Sequence, residues 1–380
     1  MMVPQFLRAF GDGSNELPLQ GKKLVVIQLS GGNDGLNTVI PYRNDIYYSQ
    51  RPAIGIKRDA AGALTDEVGL HPALKNFRSF YDGGMLSIVN GVGYPDPNRS
   101  HFRSMDIWQS GSTSRSIVPT GWIGRYMDEH AGTAPALAIE VDDTLSLAMK
   151  GDERSGIAVG NIKQFHSAAA NSYVKKMAGH AAEHDEHLAG YLYNTLRQTA
   201  SSADYIFDQS KKYTTTQNYP DTALGKRMKT IGTLLSSRAS TSVYYVSHGS
   251  FDTHVGQKDR QERLLAQLDD AVGALVAELK ANGVMNDVLI MTFSEFGRRV
   301  AQNGSNGTDH GTASCMFLIS GGLQQQGLYN PIPSLADLDE GDLRYSVDFK
   351  QVYATILDKW LQADAEKILD RHYKQLPILG

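Results

Sequence analysis

A single cysteine in 380 residues, Cys315, excludes an internal disulfide. It leaves the compartment open, because many exported proteins also lack disulfides. No apolar run approaches the ~20 residues that a membrane-crossing helix needs. A large excess of charge of one sign is missing as well: 37 Lys and Arg against 41 Asp and Glu leave a net charge of -4. That balance removes the electrostatic case for nucleic acid or an anionic membrane as partner. Met1–Phe10 lacks a charged segment followed by a long apolar one, so no signal peptide is expected within this chain. Tandem repeats and low-complexity linkers are missing too, which favours one large α/β unit over 1–380 rather than a string of small domains.

What is present is a series of apolar, β-rich runs that end abruptly in polar residues. Leu24–Leu29 reads as a strand buried on both faces. It passes into Ser30, Gly31, Gly32, Asn33, Asp34 and Gly35, where the glycines allow a tight turn and bring Asp34 and Asn37 to the mouth of a sheet. Taken alone, that turn reads equally as a surface Asx motif. Leu86–Val89 is a second strand after a helix over Pro72–Tyr81, and a proline-containing loop then leads to Arg99, Ser100 and His101 and a helical segment, Arg103–Gln109. Ser100 near a helix N-terminus is either a cap or a nucleophile or anion-binding group assisted by the helix dipole, Arg99 and Arg103. His101 is open to the same two readings, the bland one being that it packs or orients Ser100.

Further strands are expected over Ala136–Val141, Ser242–Val246, Asp287–Phe293 and Cys315–Ile319, and helices over Gly121–Met127, Leu224–Arg238, Gln257–Asn282 and Val347–Leu361. Strands separated by helices predict an α/β/α sandwich with a mainly parallel sheet. The segment 151–219 reads as a helical cap or insertion. Its His180, His184 and His187 share one helical face, but Glu183, Asp185 and Glu186 favour a solvated helix over a metal site.

Three strand ends carry the chemistry. Asp34 follows the first, Asp252 and His254 follow another, and Glu295, Arg298, Asp309 and His310 follow Asp287–Phe293. Polar residues beyond the carboxyl ends of strands in an open α/β sheet face a ligand rather than a core. Carboxylates and imidazoles gathered there call for a cation or for the two arginines, Arg298 and Arg299. Asp and His together suit zinc, manganese or iron; a set this rich in oxygen also admits magnesium or calcium. The competing reading is a set of structural ion pairs, such as Glu295 with Arg298.

The motifs LVVIQLSGGNDGLNTVIPY, NRSHF, GWIGR, FDTH, SEFGRR and TDHGTA resemble those of the bacterial domain-of-unknown-function family numbered 1501, across nearly the whole chain. Members are often exported with a twin-arginine signal, which makes a periplasmic or exported location the expectation, with the cytoplasm left open. The family is remotely similar to the alkaline phosphatase and sulfatase superfamily, which implies an alkaline-phosphatase-like core and a metal site acting on an anionic ester. By that resemblance Asp34 is the first-strand metal aspartate, Ser100 the nucleophile, Asp252 and His254 the pair at one metal and His310 its final histidine. Asp309 beside it joins the metal set, and Glu295 stands where the superfamily has an Asp-His pair for a second metal. Two departures follow. The Asp252–His254 spacing is short, and Ser294-Glu295 replaces Asp-His, which favours one metal plus Arg298. Neither Cys315 nor Ser100 lies in the C/S-x-P-x-R context that a formylglycine sulfatase needs.

The expected activity is a metal-dependent hydrolase or transferase for a phosphate or sulfate ester, small or glycan-linked. Ser100, Glu295 and Arg298 are its catalytic candidates, and Arg99, Arg103 and Asn37 its substrate-binding ones. The alternative is a non-catalytic, metal-containing protein that binds a glycan or other cell-surface ligand.

Overall fold

In the computed structural model the described residues are 21–130, 134–171 and 188–380. Strand β1, Lys23–Leu29, lies at the centre. Its alternation places Val25, Ile27 and Leu29 in one apolar core and Leu24 and Val26 in another, on opposite faces of the sheet. Each such side chain, fully removed from water, contributes about 1.5–3 kcal/mol. This is why the run is continuously apolar rather than alternating.

The other strands of the sheet are β2 (Leu86–Gly93), β3 (Ala138–Glu140), β4 (Ile157–Ala158), β5 (Val243–His248) and β6 (Val288–Phe293). A separate hairpin, β7 (Arg298–Gln302) with β8 (Thr308–His310), intervenes before β9 (Ser314–Ile319), β10 (Gly327–Leu328) and β11 (Val347–Asp348) complete the sheet. The order is β10-β2-β9-β6-β1-β5-β3-β4, with β11 also beside β2, nine strands in all. Strand β9 runs antiparallel to both β2 and β6; the remaining pairs are parallel. Gln28 pairs with Phe293 and Leu29 with His248, so three strands end at one edge and deliver their following loops side by side.

Helices cover both faces. On one side α1 (Lys75–Asp82) packs with α4 (Ala223–Ser236) and α5 (Gln257–Ala281); on the other lie α2 (His101–Ser110), α3 (Trp122–Glu129) and α6 (Phe349–Thr355). The helix expected over Val347–Leu361 is shorter. Asp348 caps α6 through a capping box with Gln351, and the chain continues as a π turn, Ile356–Trp360. Within the expected insertion, Ile162–Ala169 and Leu188–Lys211 are helical, and His166 stacks on Phe207 at 3.9 Å. His180, His184 and His187 lie outside the described residues. No helix among the described residues is long and apolar enough to cross a membrane.

Candidate metal centre

The loop after β1 is fastened to the loop after β6. The Ser294 hydroxyl donates to the Leu29 carbonyl at 2.7 Å and accepts from the Asn33 N–H at 2.8 Å, and Glu295 Oε1 accepts from the Gly31 N–H at 2.8 Å. Gly31 has φ +117, and a Cβ there would sit 2.5 Å from the backbone nitrogen of Asp252. Only glycine allows so close an approach between the loops after β1 and β5. Helix α2 joins them through the Ser104 hydroxyl, which donates to the Glu295 carbonyl at 2.5 Å.

One oxygen forms the focus. Oδ1 of Asp252 is 2.6 Å from Nη2 of Arg298, 3.0 Å from Nε2 of His254, 3.3 Å from Nε2 of His310 and 3.6 Å from Nε2 of His101. Each imidazole is held from behind on its other nitrogen. His310 Nδ1 is 2.8 Å from the Arg99 carbonyl, His101 Nδ1 is 2.8 Å from Glu295 Oε1, and His254 Nδ1 is 3.4 Å from Asp309 Oδ1. Those oxygens can each accept an Nδ1 proton, an arrangement that turns the Nε2 atoms toward Asp252.

Burial would raise the Asp252 carboxyl, but the hydrogen bond and charge of Arg298, then His310 and His254, outweigh it and hold the group at about 2. The hydrogen bond to Glu295 raises His101 above the ordinary imidazole range, against burial, whereas burial lowers His310.

These residues fit a divalent metal. His101 Nε2 is a buried nitrogen without a hydrogen-bond partner among the described residues, and His254 Nε2 faces His310 Nε2 at 2.9 Å. Two lone pairs at that separation repel unless a proton or a cation lies against them. Back-held imidazoles beside a carboxylate are the donor set that protein metal sites use.

The structure thus gathers Asp252, His254 and His310, sets Asp309 at their exposed rim, and adds His101. In the sequence His101 is as ambiguous as Ser100 and is not among the expected ligands. Its available signal was position: it opens the helix after β2, in the same motif as Ser100.

Other candidates stand elsewhere. Asp34 is buried, caps a short helix at the Leu36 N–H, and pairs with Arg51 at 2.5 Å and with Gln257. Asn37 is likewise enclosed, accepting from Tyr47 and Arg51 and donating to the Ile54 carbonyl. Arg99 pairs with Asp342 and Glu340, and Arg103 donates to the carbonyls of Thr113, Ser114 and Ser116. Arg298 is buried and directs its nitrogens to the carbonyls of Gly31, Gly32, Phe251 and Thr308 besides Asp252. It is a fixed charge within the chain. Glu295 stands behind His101 rather than pairing with Arg298. Ser100 is exposed at the N-cap of α2, and its side chain makes no cap hydrogen bond.

Solved structures with a similar chain trace include a phosphonate monoester hydrolase from Silicibacter pomeroyi, at 8% identity over 94% of this chain and 76% of that one, TM-score 0.45. The PsFucS1 sulfatase from Pseudoalteromonas sp. is similar at 11% identity over 93% of this chain and 68% of that one, TM-score 0.40. The lipoteichoic acid synthase LtaP from Listeria monocytogenes is similar at 8% identity over 83% and 69%, TM-score 0.38. No curated protein matches the chain in sequence. The sequence model of the family described as "Protein of unknown function (DUF1501)" matches residues 89–376, and the chain belongs to that family.

Proposed function

We propose that the protein is a metal-dependent hydrolase or transferase acting on a phosphate or sulfate ester. The observation that carries this reading is the convergence of three imidazole Nε2 atoms on Asp252 Oδ1. His101, Asp252, His254 and His310 would hold the metal, and a nitrogen-rich set of this kind suits zinc, manganese or iron better than magnesium or calcium. A metal held there would supply Lewis-acid polarisation of the ester and would offset the charge that builds on its oxygens.

The chain's own groups supply the rest. Ser100 is the nucleophile: it is exposed, next to His101, and its hydroxyl is not committed to capping α2. Glu295 and the Arg99 carbonyl hold the His101 and His310 rings at Nδ1, which leaves Nε2 of each for a metal. Arg298 keeps Asp252 ionised and adds positive charge without moving.

The test is turnover of aryl phosphate, phosphodiester and sulfate esters by protein loaded with zinc, manganese or magnesium, beside Ser100→Ala. Wild-type turnover that falls about a thousandfold or more in the variant, with metal content unchanged, is the expected result. Retained turnover removes Ser100 from the mechanism, and bound metal without turnover of any ester favours the non-catalytic alternative.

A further inference from the structure

Building on that reading, we infer that the centre takes a single divalent cation and that Asp34 is the counter-ion of Arg51 rather than a ligand. The side chains of Asp34 and Arg51 are 1% and 0% exposed. Arg51 donates from Nη1 to Asp34 Oδ2 and Asn37 Oδ1, from Nε to the Val300 carbonyl at 2.8 Å and from Nη2 to the Arg299 carbonyl at 2.8 Å. Releasing Asp34 to a metal would strand a buried guanidinium without its carboxylate, which the interior strongly disfavours. Gln257 and the Leu36 N–H engage Asp34 further.

Nothing else near the centre supplies a second donor set among the described residues. Glu295 is committed to the Gly31 N–H and His101, and Asp309 to Asn303 and His254 at the rim. The Arg298 guanidinium, held by the loops after β1 and β5 and by β8, reaches within 3.5 Å of His254 Nε2.

The experiment is elemental analysis and X-ray absorption of zinc-loaded, untagged protein, with calorimetric zinc titration of wild type, His310→Ala and the double variant Asp34→Asn/Arg51→Met. The double variant neutralises both buried partners together, so neither is left as an unpaired charge. One equivalent in wild type, an imidazole-rich shell, loss in His310→Ala and retention in the double variant within about threefold of wild-type affinity support the inference. Two equivalents overturn it, as does a metal–metal vector near ~3.5–4 Å or loss of zinc from a double variant with native circular dichroism. These outcomes leave the metal reading standing. No zinc in wild type overturns both. The wild-type count and shell decide the matter even where the double variant does not fold.

Discussion

Oε1 of Glu295 receives His101 Nδ1 and the Gly31 N–H, each at 2.8 Å, and the carboxylate that does this is fully buried. Glu295→Gln keeps an oxygen for both donors while removing the charge and turning Oε2, which faces the Ser294 hydroxyl at 3.3 Å, into an NH2. Zinc affinity should fall roughly 10–100-fold in a chelator competition, as it does when partners behind a ligating histidine are changed. Glu295→Ala should add a loss of stability, because both donors are then orphaned. Unchanged affinity in Glu295→Gln would mean that His101 is not held for a metal.

Gly31→Ala tests the seam between strand ends. The added Cβ would sit 2.5 Å from the Asp252 nitrogen, at a φ of +117 that side chains rarely adopt. Displacement of the loop carrying Asp252 and His254 should lower stability by at least about 2 kcal/mol in urea unfolding and weaken zinc binding with it. A variant of wild-type affinity would show that the seam yields without moving the ligands.

Asp269 on α5 caps α1 from across the fold. Its carboxylate accepts from the Asn76 N–H at 2.9 Å and the Phe77 N–H at 3.0 Å, while the residue at the N-cap, Leu74, offers no side-chain acceptor. Asp269→Ala should cost about 2–3 kcal/mol, measured by the shift in urea midpoint at constant slope.

Glu140, at the end of β3, gives a pH signature away from the metal centre. Burial raises its carboxyl from the ordinary 4.5 to about 7, against the hydrogen bonds from Ser146. Between those values the folded state binds more protons than the unfolded one, so its contribution to stability is complete below pH 4.5 and lost as pH rises through 7. His71, lowered to about 4 by burial, contributes the opposite slope between about 4 and 6.5. Subtracting wild type from Glu140→Gln cancels that term. The variant should gain roughly 3 kcal/mol relative to wild type from pH 4.5 to pH 8 in urea titrations.

The sheet was largely legible. Leu24–Leu29, Asp287–Phe293 and the helix beginning at Gln257 coincide closely with observed elements, because long apolar runs and helical spacing are imposed by burial itself. The direction of β9 was not, since an apolar run reads the same parallel or antiparallel. Nor was the β7–β8 hairpin, which is short and polar; yet its register sets Arg298 opposite His310. At the site, residue type announced charge and ligand chemistry but not which donors are already engaged. Arg103 and Asn37 looked available, and Arg51, in an unremarkable polar stretch, holds Asp34. Those facts belong to tertiary contacts with no periodic trace.

The candidate donors come from the start of α2, the loop after β5 and the end of β8, three segments that an unfolded chain keeps far apart. An ion joining them would be a cross-link across the sheet edge rather than a local chelate. It would close long loops whose entropy the unfolded chain otherwise recovers, with no preassembled competitor in the unfolded state. Its binding free energy would therefore appear as stability of the whole sheet, and a chelator added to metal-loaded protein should lower melting of the whole sheet instead of detaching one segment.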